Sequence, residues 1–187
     1  SADAEADRVA YASPGLRKVW AENQQASNAS PERMRAFLAL ADASLPAVRD
    51  MHRAGVGILA GCDGLVPGFC LPDELTMMVR AGLSPLAALQ TATINPARYL
   101  GKESSVGSVA PTKIADLVLL DANPIENIAN IHRISAVVIG GKLLRRSELD
   151  TMLKKARDAF RPTTARRQLP IPRRSVSSIV TGLLEPE

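Results

Sequence analysis

The sequence predicts an α/β unit followed by a small all-β unit, and three observations carry that prediction. Val56-Gly57-Ile58-Leu59-Ala60-Gly61-Cys62 is a short apolar run without alternation, so both of its faces need cover, as in a central parallel strand. Around it lie helix starts of one chemical kind, Ser30-Pro31, Ser84-Pro85 and Asn95-Pro96. From Val106 onward the hydrophobic period shortens to that of strands. The chain has 187 residues, 46% hydrophobic and 22% charged, which is a globular composition of one domain or slightly more. Aromatic residues are only 3%, so a core must lean on Leu, Val, Ile and Ala, which suits helices layered on a sheet.

Residues 1–30 read as polar and irregular, with one apolar cluster at Leu16, Val19 and Trp20. Ser30 is an N-cap, Pro31 fits the first helical position and Glu32 faces the positive end of the dipole. Met34, Phe37, Leu38, Ala41, Leu45, Val48 and Met51 then recur at spacings of three and four, an amphipathic helix that ends at Gly55. Pro46 lies inside it and is expected to kink or divide the helix near residue 44. After the apolar run, Asp63-Gly64 and a Pro/Gly loop lead to a helix from Asp73 to Arg80, closed by Gly82. The helix after Ser84-Pro85 presents Leu86, Leu89, Ala92 and Thr93 on one face, and Asn95-Pro96 opens a short one that ends at Gly101. Leu117–Leu120 and Ala136–Ile139 read as strands, with Gly140-Gly141 as a two-residue hairpin turn into Lys142-Leu143-Leu144. Glu148 to Phe160 is helical, and the Pro/Arg/Ser-rich remainder is expected to be largely disordered. The domain reading is therefore 1–105, 106–147 and 148–187.

Charge and cysteine content narrow the function classes. Residues 151–187 carry eight cations against three acids, whereas the other residues carry fifteen against sixteen, so the basic character belongs to the tail. Almost no aromatics stand ready to stack bases, so nucleic acid is not an expected partner. No apolar run approaches the ~18 residues of a membrane span, and no membrane partner is expected. The acidic, Met-less opening reads as an excised start. Two cysteines, Cys62 and Cys70, make neither a disulfide framework nor a zinc spacing, and each reads as a small hydrophobe. With His52 and His132 the only histidines, this chain cannot assemble a multi-histidine metal site.

Asp63 is the candidate for chemistry. A carboxylate directly after a buried strand, at the mouth of a glycine-rich loop, lies where α/β barrels keep catalytic groups. An acceptor in an Asp-Gly turn accounts for it equally well. His52, near a helix end, reads as a dipole partner or packed surface residue, and His132 as a surface residue before a strand. Glu74, in a first helical turn, is accounted for by the dipole. Gly55-Val56-Gly57-Ile58-Leu59-Ala60 has the letters of a dinucleotide fingerprint, but a helix precedes it and a strand follows, the reverse of what that motif requires.

Taken together, four ordered motifs resemble the amidohydrolase superfamily from about residue 8 to residue 150. They are His52-Arg-Ala-Gly-Val-Gly-Ile-Leu-Ala-Gly-Cys-Asp63, then Asp73-Glu-Leu with Val79-Arg-Ala-Gly-Leu-Ser-Pro-Leu-Ala-Ala-Leu89, then Ala92-Thr-Ile-Asn-Pro-Ala-Arg98. The last comprises Gly107-Ser-Val-Ala-Pro-Thr-Lys-Ile-Ala-Asp-Leu-Val-Leu-Leu-Asp121 and Val137-Val-Ile-Gly-Gly-Lys142. The likeness is to imidazolonepropionase-like and Xaa-Pro dipeptidase-like members.

That resemblance implies the C-terminal part of a TIM-like (β/α)8 barrel, followed by part of a small β-sandwich. It implies a metal-dependent hydrolase of carbon–nitrogen bonds in a small amide, dipeptide or cyclic amide, with zinc as one or two divalent ions. Asp63 stands where the family has an acid that binds metal and shuttles a proton from water to the leaving amine. The loop from Leu65 to Pro72 would border the substrate. The family's remaining ligands, a His-x-His pair, a bridging lysine or acid and two further histidines, have no counterparts here, as though the chain began after the seventh strand. Leu71-Pro72-Asp73-Glu74-Leu75 lacks the histidine many relatives have, Thr112 replaces a usual Gly, and Cys62 a usual Thr or Ser. The expectation is a fragment, inactive alone and binding zinc no better than a surface carboxylate, with its association with further copies left open. The rival is a truncated, non-catalytic homologue serving as a binding or assembly module.

Overall fold

A serine before a proline opens each of the first two helices and a later one, and the same physics operates at all three. The computed structural model describes residues 8–28, 30–62 and 68–161. Helix α1 spans Pro14–Asn28 and α2 spans Pro31–Arg53. The Ser13 hydroxyl accepts from the Leu16 amide at 3.3 Å and that of Ser30 from the Arg33 amide at 3.5 Å. Each satisfies an amide that the helix itself leaves open, and each proline fits the position whose N–H is not needed. Residues 14–28 are thus helical where the sequence reading expected irregular chain; Leu16, Val19 and Trp20 are the three-and-four spacing of that helix.

Helix α2 continues without a break through Pro46, so it is not divided near residue 44. The carbonyl that loses its partner belongs to Asp42, which is exposed, so water can take the missing donor's place. The expected apolar face of α2 is covered only toward its end. Val48 packs on neighbouring helices, whereas Leu38 and Met51 are 53% and 44% exposed. The side chains of Phe37 and Ala41 lie outside the described residues.

Helices α3 (Cys70–Ala81), α4 (Pro85–Thr91) and α5 (Ile94–Tyr99) follow. Ser84 caps α4, its hydroxyl accepting from the Ala87 amide at 3.1 Å. The buried face of α4 consists of Ala88 and Thr91, with Leu89 half-buried and Leu86 exposed, so the expected Leu86 face is corrected. Small side chains win because α4 lies close against its neighbours: Ala88 is fully enclosed with Met78 and Leu83. Helix α5 begins at Ile94, ahead of Asn95, whose side chain reaches elsewhere instead of capping.

The β unit is a three-stranded antiparallel meander, β1 (Leu117–Leu120), β2 (Ile134–Ile139) and β3 (Lys142–Arg145), in that spatial order. A short 3₁₀ turn over Ile128–His132 precedes β2 and buries Ile128 and Ile131 against Leu75 of α3. Gly140 and Gly141 take φ of +54° and +81°, the two left-handed residues that a tight hairpin of this twist demands. Thr112 also adopts a left-handed φ, +72°, which marks the β-branched residue as strained. Helix α6 (Arg146–Ala159) closes the described chain. The expectation of a disordered tail falls on residues 162–187, which lie outside the described ones. Among the described residues no helix is long and apolar enough to cross a membrane.

The apolar run at residues 56–62 departs most from expectation. It is neither helix nor strand and pairs with no strand, because the described residues offer none beside it. The described chain is therefore a mixture of helices with one antiparallel sheet.

Candidate active site

Asp63 itself lies outside the described residues; what is described is the chain that delivers it. Residues 56–62 leave the end of α2 with the Val56 amide bonded to the Met51 carbonyl at 3.0 Å. Two further bonds hold the segment. The Ala60 amide donates to the Thr91 carbonyl at 2.9 Å, and the Asn95 side-chain amide donates to the Ile58 carbonyl at 3.0 Å. Alternation, hidden in the composition, emerges in three dimensions. Ile58 packs against the Met78, Leu83 and Ala88 cluster, and Ala60 against Leu75, Ile128 and Ile131. Val56 and Leu59 are exposed, at 50% and 41%. Ile58 and Ala60 are thus anchored on helices, while Leu59 between them is exposed.

The two cysteines are not separate small hydrophobes. Cys62, the last described residue before Asp63, is disulfide-bonded to Cys70, the first residue of α3, with the α-carbons 5.9 Å apart. The bond ties the end of this segment to the helix that supports it. For a loop of sequence separation 8, the chain-entropy model gives about 2.5 kcal/mol of stabilisation through the unfolded state. Non-reducing digestion and mass spectrometry should recover the Cys62 and Cys70 peptides joined, and a reductant should lower the melting temperature correspondingly. Both thiols alkylating freely in the unfolded, unreduced chain would contradict the pairing.

Beyond the disulfide, Asp73 is a hub that sequence reasoning missed. Arg8 grips it with two nitrogens, one at 3.1 Å and one closer, and His132 Nε2 lies 4.0 Å from its Oδ1. The Arg8 guanidinium also lies 5.8 Å from the centroid of Phe69, whose ring meets that of Tyr11 at 5.1 Å. Three remote stretches of chain therefore converge at the first turn of α3. No local signal could reveal this, since Arg8 and Asp73 stand 65 positions apart. Neighbouring Glu74 is half-buried, and burial pushes its carboxyl above the ordinary range. His52 lies exposed in the last turn of α2, in keeping with a partner for the helix dipole.

A metal centre is not assembled by these groups. Among the described residues no cluster of three or more His, Cys, Asp or Glu could hold an ion. Asp73 is already engaged by Arg8, and both cysteine sulfurs are consumed by their bond.

Comparison with known proteins supplies the remaining constraint. The model of the amidohydrolase family matches residues 8–144. Ochratoxinase of Aspergillus niger is 34% identical over 127 residues, covering 65% of this chain and 26% of the relative. Imidazolonepropionase of Symbiobacterium thermophilum is 36% identical over 85 residues, 43% of this chain and 20% of the relative. Among solved structures, a Xaa-Pro dipeptidase with bound methionine superposes with a TM-score of 0.50 at 31% identity, covering 54% of this chain and 25% of that one. The chain thus spans about a quarter or less of the length of these proteins. Such neighbours carry a TIM-barrel-like fold, and amidohydrolases as a family hydrolyse carbon–nitrogen bonds and are in general metal-dependent. With the family match covering most of its residues, this chain belongs to the amidohydrolase family.

Proposed function

We propose that this chain forms the last part of a hydrolase barrel acting on a carbon–nitrogen bond of a small amide, dipeptide or cyclic amide, with Asp63 as its acid–base group. The observation that carries the reading is the state of residues 56–62. The segment is neither helix nor paired strand, is held at Ile58 and Ala60 by packing and by hydrogen bonds to Thr91 and Asn95, and leaves Leu59 exposed. A parallel strand awaiting neighbours has these properties, and in barrels the residue after such a strand meets the substrate. The dipeptidase among the matched structures is a protein whose name describes cleavage of this bond class.

In this reading the Asp63 carboxylate takes a proton from the attacking water as the C–N bond is broken, and returns it to the departing nitrogen. Residues 106–147 would be the chain's share of a β-sandwich beside the barrel. The described residues do not fit a metal, so no step is derived through one. Donors other than Asp63 would have to come from a longer polypeptide containing the rest of the barrel.

Titration calorimetry on the 187-residue chain tests this directly. Zinc should bind no more tightly than about 1 mM, as to an isolated carboxylate. A saturable one-to-one isotherm in the micromolar range would show a complete site within the chain and overturn the proposal. In a polypeptide that includes the remaining barrel, hydrolysis of a panel of dipeptides, N-acyl amino acids and cyclic amides should appear. A panel wholly unhydrolysed would favour the non-catalytic module.

A further inference from the structure

The Cys62–Cys70 bond stands at a chemically marked place. Asp63 follows Cys62 directly, and the two sulfurs bracket residues 63–69. Before the bond, the last fixed point of the incoming chain is the Ala60 amide on the Thr91 carbonyl at 2.9 Å. Gly61 and Cys62 make no hydrogen bond with a described residue, so among the described residues the disulfide is what holds the chain beyond Ala60. At its other end the tie is firm. Cys70 opens α3, whose Leu75 and Met78 are buried in the two apolar clusters.

The two sulfurs differ in their surroundings. Cys62 is exposed and outside regular structure, whereas Cys70 is half-buried in the first turn of a helix of 12 residues. Phe69 caps no amide of that turn with its side chain, and the Asp73 carboxylate there is held by Arg8. Uncapped amides and the positive end of the helix dipole stabilise an anion, so a thiolate is favoured at Cys70. Thiol–disulfide exchange is fastest where the attacked sulfur is accessible and the departing one leaves as a stabilised thiolate. Both conditions select attack at Cys62.

We propose that the Cys62–Cys70 bond is a reversible redox site that governs turnover by fixing the approach of the chain to Asp63. This role for the bond rests on the reading of Asp63 as the acid–base group. The reductant is a dithiol. One of its thiolates attacks Cys62 Sγ; the bond to Cys70 breaks and its electron pair leaves on Cys70 Sγ, which takes up a proton. The second thiol of the reductant then attacks the reductant's own sulfur in the mixed disulfide and releases Cys62 as a thiol. Two electrons and two protons have passed to the protein, and the dithiol has become a disulfide. With the bond open, Asp63 stands three residues beyond the Ala60 anchor, with Gly61 between them. A displacement of about 1 Å at a reacting group costs up to about 100-fold in rate, so the oxidised form is the active one.

Exchange with glutathione on the folded 187-residue chain, followed by alkylation and peptide mapping, reads this chemistry without any substrate. Glutathione should be found on Cys62 and the alkyl group on Cys70, with the circular dichroism spectrum unchanged. Adducts confined to Cys70, or opening only at denaturant concentrations that unfold the chain, overturn the proposal. In a polypeptide that includes the remaining barrel, dithiothreitol should lower kcat at least about tenfold with KM little altered, and reoxidation should restore it. The double variant Cys62→Ser with Cys70→Ser should stay at the low value with or without the reagent. Equal turnover in the two oxidation states overturns the redox role and leaves Asp63 as the acid–base group. A loss that the double variant shares to the same extent belongs to the reagent and overturns the redox role as well. A panel of amides unhydrolysed in both states removes the acid–base reading of Asp63, and this role for the bond with it.

Discussion

Asp63→Asn, made in a polypeptide that contains this segment together with the rest of the barrel, lowers kcat/KM by about 10²–10⁴-fold, the range spanned by a positioned acid–base group. The substitution separates the two readings of the residue. Asparagine has the same shape, tolerates the same turn conformations and retains a side-chain acceptor, so a purely structural Asp-Gly turn would scarcely notice it. It cannot carry a proton. Folding should therefore be preserved, with circular dichroism and melting temperature close to the parent, while turnover collapses. Undiminished turnover would remove the catalytic assignment and leave Asp63 as a turn residue.

Gly107→Ala is the second large effect, and it falls on stability. A β-carbon at Gly107 would stand 2.6 Å from the Ala97 β-carbon, 3.0 Å from the Thr93 carbonyl oxygen and 3.1 Å from the Ile94 α-carbon. Two of those atoms are backbone, so α5 itself would have to move. The residue also has a φ of +87°, which an L-side chain resists. Overpacking and backbone strain together should cost roughly 2–4 kcal/mol, a melting shift of roughly 5–15 °C. Gly101→Ala is the control. Its φ is +63° but no atom lies within 4 Å of the added carbon, so only the backbone cost of about 1 kcal/mol remains. Equal losses at the two positions would show that the contact with α5 is unimportant.

These two residues also show what the sequence reveals and what it withholds. Helix ends are local chemistry, so Ser30-Pro31, Ser84-Pro85 and the Gly140-Gly141 hairpin are legible directly. Ser13-Pro14 bears the same signature and opens α1, which the polar composition of the first thirty residues obscures. Arg8 and Asp73, by contrast, meet only because the chain folds back over 65 positions. The Cys62–Cys70 bond depends on how the loop between them returns to α3, and spacing alone does not specify that. The burial of Ala88 and Thr91 over Leu86 follows from how closely α4 approaches its neighbours, a tertiary distance absent from periodicity. Residues 56–62 differ again: their composition demands two covered faces, and the described chain supplies one. The family match explains why their motif is recognisable without those partners.

Strand order carries a kinetic consequence. β1, β2 and β3 lie side by side in the order they occur in the chain, and β2 closes on β3 across the two-residue Gly140-Gly141 turn. Hairpins of this kind assemble within about 1–10 μs, whereas parallel pairing waits on distant chain. The β2–β3 hairpin can therefore act as an early nucleus, and in the proposed barrel the 56–62 segment would join its sheet last, making that step the slow and vulnerable stage of folding.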